Sequence, residues 1–172
     1  IGPDTDWSQA VSGADIVIHL AARVHVMKDR SPDPLADYRN VNTAGTRKLA
    51  QQAAAAGVKR FVFISTIKVA GENSPVSGFT EDDHAMPEDP YGVSKWEAEQ
   101  ALADISRSTG LEVVILRPPL VYGPGVKGNF LSLFEAIDKN RALPLGAIEN
   151  QRSFLSVVNL ADAIATVAEH PN

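Results

Sequence analysis

In Arg60-Phe61-Val62-Phe63-Ile64-Ser65-Thr66, an unbroken aromatic and β-branched run ends in two hydroxyls. The run is too short for a helix and reads as a strand, over 60–65, buried on both faces as in a parallel sheet. Upstream, a helix over about 34–56 closes on Gly57, entered through the loop Ser31-Pro32-Asp33-Pro34. Before that, a second β-branched run predicts a buried strand over 15–20, preceded by a short helix near 7–12 that Gly13 closes. Downstream comes a long irregular stretch holding Gly71, Pro75, Gly78 and Pro87, longer than an ordinary connection and therefore a candidate functional loop. Asp89-Pro90 then predicts a cap and first helical position for a helix ending near Thr109. A strand over 112–116 follows. Arg117-Pro118-Pro119 and Tyr122-Gly123-Pro124-Gly125 read as a rigid loop before a helix over about 129–139. A short strand over 154–157 and a helix from about Asn159 complete the chain. Buried strands alternating with helices predict an α/β fold: a partial doubly wound parallel sheet flanked by helices.

Bulk properties bound the function. The chain has 172 residues, 44% of them hydrophobic, enough for one domain with a core. The formal net charge is −5 and the basic residues are scattered, so no nucleic-acid footprint is expected. The apolar runs are too short to span a bilayer, and no membrane partner is expected. With no cysteine, disulfides and thiolate zinc sites are excluded, which suits a cytoplasmic protein. His25, His84 and His170 lack metal-ligand spacing, so no metal is assigned. The chain begins at Ile1 and reaches a strand almost at once, which suggests a fragment.

Ligands of parallel α/β sheets bind beyond the carboxyl ends of the strands. His19-Leu20-Ala21-Ala22, Ser65-Thr66 and Arg117-Pro118-Pro119 all fall there. Tyr91 and Lys95, four residues apart at the start of a helix, share one side of it. A hydroxyl, a tyrosine and a lysine in this arrangement suit alcohol–ketone redox chemistry. The bland readings are a helix-start aromatic, a solvated lysine and a strand that merely ends in hydroxyls. The order of elements around them favours the site.

With these residues assembled, the chain resembles the extended short-chain dehydrogenase/reductase family, in its nucleotide-sugar epimerase/dehydratase branch. Six segments carry the resemblance in register: 19–22, Asn42-Thr43-Ala44-Gly45-Thr46, 61–66, Tyr91-Gly92-Val93-Ser94-Lys95, 117–124, and Arg152 ahead of Asn159-Leu160-Ala161-Asp162-Ala163. The resemblance implies Thr66, Tyr91 and Lys95 as catalytic residues. Thr66 would bond the sugar oxygen and Tyr91 act as general acid/base. Lys95 would hold the nicotinamide ribose and, with the positively charged nicotinamide, acidify Tyr91. It implies cofactor contacts at Ala21, Ala22, Tyr91, Lys95 and Pro118, and substrate contacts at Thr66, Asn129 and Arg152. The implied cofactor is NAD, with NADP left open, and the implied substrate a nucleotide sugar. It further implies a homodimer built on the helices holding Asn42 and Tyr91, for which Ala98, Ala101, Leu102 and Ile105 have suitable spacing, although packing on the sheet explains that spacing equally well. Asn42 is expected to bond main chain, and His19 to be a packed residue of its motif.

Departures from the family pattern narrow the activity. No Gly-x-x-Gly-x-x-Gly turn precedes Ile16, so 1–172 reads as a truncated dinucleotide-binding domain whose N-terminal unit and C-terminal substrate lobe lie elsewhere. Dehydratases of the branch carry an acidic pair just after the catalytic threonine. Here Ile67-Lys68 stands instead, which argues against dehydration. The segments 67–69 and 117–130 resemble a subgroup acting on UDP-N-acetyl sugars. The expectation is an NAD-dependent 4-epimerase, the alternatives being a one-way 4-keto-sugar reductase, or an inert fragment or non-catalytic binding module.

Overall fold

The computed structural model describes residues 1–24, 31–126, 128–143, 146–147 and 149–171. His25 and Lys127 lie outside these, as does the side chain of Asn129. Strands β1 (Ile16–His19), β2 (Arg60–Ile64) and β3 (Glu112–Leu116) form a parallel sheet in that spatial order. Ile16 pairs with Arg60, and Arg60 with Glu112. Because strand side chains alternate, Val17, Phe61, Phe63, Val113 and Ile115 share one face. There they meet Leu49, Ala50 and Ala53 of helix α3 (Thr46–Ala55), Ala98, Leu102 and Ile105 of helix α4 (Pro90–Thr109), and Val11 of the short helix α1 (Ser8–Val11). This is the main core.

The helix predicted over 34–56 is interrupted. Helix α2 (Pro34–Tyr38) runs into a π-helical stretch, Arg39–Gly45, before α3. The wider turn carries Asn42, whose Nδ2 donates to the Arg23 carbonyl at 3.0 Å and whose Oδ1 accepts from the Arg23 amide at 2.8 Å. The expected main-chain role of Asn42 is therefore what the structure shows. Helix α4 begins as expected at Pro90 with Asp89 as its cap. It ends on Gly110 at φ +79°, a left-handed position where a side chain would be strained.

Three expectations need correction. The strand near 15–20 is not buried on both faces: Ile16 and Ile18 are exposed, because among the described residues β1 pairs only with β2 and its second face is partly uncovered. The loop expected after Arg117 contains a strand, β4 (Leu120–Tyr122), in parallel with β5 (Phe154–Ser156) as a separate two-stranded sheet. Between them helix α5 (Asn129–Asp138) runs as predicted. The last helix, α6 (Val157–Glu169), starts two residues early, because the Ser156 hydroxyl caps it by accepting from the Val158 amide.

Helix α6 lies across the second face of the sheet. Arg60, buried there, donates from Nη1 to the carbonyls of Val167, Ala168 and His170, while Nη2 pairs with Glu112 at 2.7 Å. The carbonyls at a helix C-terminus lack partners and carry partial negative charge, so a guanidinium satisfies them.

Candidate active site at the carboxyl end of β2

Thr66 lies two residues past the end of β2, with extended backbone, and caps a single 3₁₀ turn, Ile67–Val69. Its hydroxyl accepts weakly from the Lys68 amide, 3.4 Å away. The Ser65 amide donates to the Leu116 carbonyl at 2.7 Å and the Ile67 amide to the Pro118 carbonyl at 3.0 Å. Thr66 is thus held from both sides by the segment leaving β3, and Pro118 is brought to the same rim.

The first turn of α4 is pressed onto this turn. A Cβ added to Gly92 would stand 3.1 Å from the Lys68 carbonyl oxygen and 3.2 Å from Pro87 Cβ, so a glycine is what lets the two backbones approach. Tyr91 precedes it, largely buried, with its ring 6.0 Å from that of Tyr38. Ser94 fixes the turn: its hydroxyl donates to the Tyr91 carbonyl at 2.8 Å and accepts from Asn42 Nδ2 at 3.0 Å. The π-helical stretch therefore supports the start of α4 directly, and Thr43 adds a bond to the Ser94 carbonyl. Sequence reasoning did not find this role for Ser94. Its signal was only its place between Tyr91 and Lys95.

Lys95 is 1% exposed. Its Nζ donates to the Ile64 carbonyl at 2.6 Å and lies 4.0 Å from the centroid of the Phe63 ring. Burial brings its pKa down to about 7, with Glu99 opposing. His19 stacks on Phe63 and meets Phe61 edge-on, and its Nε2 bonds the Thr46 hydroxyl at 2.9 Å. Burial, then the charge of Lys95, brings its pKa down to about 4. It is the packed histidine expected, held by a side chain. Tyr91 shifts the other way: burial raises its pKa, Asp89 and Tyr38 add to that, and Lys68 opposes. The cation whose field favours the phenolate in this structure is therefore Lys68.

The structure brings Thr66, Tyr91, Lys95 and Pro118 to one rim. Ala21 and Ala22 follow β1 at the same end of the sheet, just before the Arg23 main chain that Asn42 holds. Arg152 is exposed two residues ahead of β5 of the separate two-stranded sheet, and Asn129 opens the backbone of α5. Ala98, Ala101, Leu102 and Ile105 are all buried, and Ala98, Leu102 and Ile105 belong to the core against the sheet, so their spacing serves packing. Glu99, also buried, holds Arg117 through Nε and Nη2, fixing the segment that leaves β3.

The rim suits the ribose and nicotinamide end of a dinucleotide. The buried Ser65 hydroxyl has no partner among the described residues, and Lys95 Nζ, with three protons, has the Ile64 carbonyl as its hydrogen-bond acceptor. Unmet donors at this end of the sheet can take ribose hydroxyls. Asp83 closes an exposed turn by accepting from the Thr80 amide.

The chain is similar to several known proteins. The chain is 51% identical over 174 aligned positions to a UDP-glucose 4-epimerase of Vibrio cholerae, covering 99% of this chain and 53% of that protein. It is 34% identical to the N-acetyl-α-D-glucosaminyl-diphospho-ditrans,octacis-undecaprenol 4-epimerase of Escherichia coli O157:H7, covering 91% of this chain and 46% of the relative. Among solved structures, a UDP-N-acetylglucosamine 4-epimerase of Methanobrevibacter ruminantium M1 superposes with a TM-score of 0.83 at 28% identity, over 98% of this chain and 56% of that one. A UDP-glucuronic acid 4-epimerase of Bacillus cereus, solved with UDP-glucuronic acid and NAD, gives the same score over 98% and 54%. The chain spans about half the length of the relatives it matches. The family model for the NAD dependent epimerase/dehydratase family matches residues 3–172, and the chain belongs to that family.

Proposed function

We propose that the intact gene product is an NAD-dependent 4-epimerase of a UDP-hexose or UDP-N-acetylhexosamine, in which residues 1–172 are the middle portion of the enzyme, a truncated dinucleotide-binding domain. The observation that carries this is the arrangement around β2. Thr66 stands at its end, Lys95 reaches the Ile64 carbonyl behind it, and Tyr91 opens the helix packed against the Thr66 turn. The identity to the Vibrio cholerae enzyme supports the sugar class.

Thr66 donates its hydroxyl proton to the sugar O4, orienting it toward Tyr91. Tyr91 takes the O4 proton as C4 is oxidised and returns it after the keto sugar has turned over. Bound NAD would supply the hydride acceptor and donor that oxidation and re-reduction at C4 require, leaving the cycle redox-neutral. Lys95 holds the ribose hydroxyls and, once charged, favours the Tyr91 phenolate. Asn129 and Arg152 are assigned to the substrate diphosphate, for which a permanently charged planar fork is suited. The absence of an acidic pair after Thr66 favours epimerisation over dehydration. For the homodimer, the buried apolar residues of α4 leave the polar face of Arg39, Arg47 and Glu97 as the pairing surface. There Arg39 bonds Glu97 in bidentate fashion.

The test is to incubate the intact protein, wild type and Tyr91→Phe, with NAD and UDP-GlcNAc or UDP-glucose, following products and absorbance at the reduced-nicotinamide band. The expected result is epimer without net NADH, lost by at least 100-fold in the variant, from a protein of twice the subunit mass by light scattering. Consumption of reduced cofactor only when a 4-keto sugar is supplied would make the enzyme a reductase. Equal inertness of both proteins would remove the catalytic assignment.

A further inference from the structure

Lys68 is two residues past Thr66, and its side chain crosses to the start of α4. Its Nζ lies 2.5 Å from Asp89 Oδ2 and 2.8 Å from Glu72 Oε1. The other oxygen of Asp89 accepts from the Gly92 amide at 2.6 Å, capping α4. A single carboxylate therefore joins the turn behind Thr66 to the turn that carries Tyr91. The backbones meet at the same place, with Gly92 against the Lys68 carbonyl. The Met86 amide, donating to the Val69 carbonyl at 3.0 Å, closes the intervening loop back onto the 3₁₀ turn. Glu72 is the more exposed partner and, as an i, i+4 ion pair, contributes little by itself. Asp89 is different, because both of its oxygens are committed and the pair is only about a quarter to a third exposed.

We propose that Lys68 and Asp89 form a clasp that sets Tyr91 against Thr66 and balances the charge beside the Tyr91 hydroxyl, making Lys68 a positioning residue. Its role in turnover rests on the epimerase reading above; the clasp itself does not.

The groups facing Tyr91 come from three directions. Asp89 and Lys68 lie at the capping loop. Tyr38 comes from α2, with the Arg23 guanidinium 5.3 Å from its ring centroid. Lys95 sits one turn along α4 with its Nζ turned to the Ile64 carbonyl. Burial first, then Asp89 and Tyr38, make the Tyr91 hydroxyl harder to ionise, and Lys68 makes it easier. Lys68 itself stays charged: burial opposes its charge, but the bonds from Asp89 and Glu72 together hold its pKa above the usual lysine value. Removing the Lys68 charge therefore raises the Tyr91 pKa, and neutralising Asp89 lowers it. A purely mechanical tie would give no such opposition, because cutting it from either end loosens the same joint.

The experiment uses the intact protein with Lys68→Met, Lys68→Arg and Asp89→Asn, since Asn still accepts as a helix cap. Absorbance titration of tyrosinate, taken as the difference from Tyr91→Phe in each background, needs no substrate. The expected midpoint rises by about half a unit in Lys68→Met and falls by about as much in Asp89→Asn, with Lys68→Arg near wild type. In the epimerase assay the acid limb of kcat/KM is expected to follow the same two shifts. Midpoints that move together, or do not move, overturn the clasp. Opposite midpoints in a protein inert toward UDP-sugars would keep the clasp and sink the activity reading instead.

Discussion

The two sheets of this molecule are built to different standards. On the three-stranded sheet, Phe61, Phe63, Ala98 and Leu102 are fully buried, and the groups assigned to redox chemistry stand on their margins. On the two-stranded sheet, Phe130 touches Tyr122, Phe134 and Phe154 with ring centroids 4.7–6.0 Å apart, yet Tyr122, Phe134 and Phe154 are 39%, 48% and 47% exposed. The first region positions Thr66, Tyr91 and Lys95 on a packed scaffold. The second, which leads to Asn129 and Arg152, has aromatic contacts without closure. Precision in the packed half comes from burial on that scaffold.

The largest way to test that difference is to cut into the packed half. Leu102→Ala removes a side chain with no exposed surface, between the sheet and α3. The lost transfer energy and the cavity together are expected to cost about 4 kcal/mol. Urea unfolding of the intact protein would read this as a lower midpoint at unchanged slope. A loss below about 1 kcal/mol would mean that this core relaxes as freely as the exposed one.

The packed half also carries a pH signature. His19 has a folded pKa of about 4 against the ordinary histidine value of 6.5, from burial and then Lys95. Between those values the unfolded chain binds the proton and the folded chain does not, so stability falls as pH falls from 6.5 to 4. The span corresponds to about 3 kcal/mol. It is expected as the excess acid sensitivity of wild type over His19→Gln, whose amide can still bond Thr46. Parallel stability–pH curves for the two proteins would show that His19 is not held neutral.

How much of this was legible follows from where each signal resides. Strands β2 and β3 and helix α4 were readable because Phe61–Ile64, Glu112–Leu116 and the Asp89-Pro90 start are local signals. So were Thr66, Tyr91 and Lys95. Strand β4 was not: three residues between Pro119 and Gly123 offer no period, and only Phe154–Ser156 alongside makes them a strand. The π-helical turn at Arg39–Gly45 was invisible because it is stabilised by bonds to Arg23 and Ser94, distant in sequence. Ile16 and Ile18 showed that their strand was apolar, not what would cover it. Lys68 stood out only as a departure from pattern, since its partner Asp89 lies 21 residues away.

The smallest expected effect falls in the open half. Phe134 projects from α5, touching Phe130 edge-on at 4.7 Å while nearly half exposed. Burial-proportional energetics give its truncation only a fraction of the loss expected at Leu102. An edge-to-face pair adds about 0.5–1.5 kcal/mol to that. Phe134→Ala is therefore expected to cost about 1 kcal/mol in the same urea experiment. A cost equal to that of Leu102→Ala would mean that in the intact protein this aromatic face is closed over by other chain. It would then be as much a core as the one behind Thr66, and the contrast between the two sheets would belong to these 172 residues rather than to the intact protein.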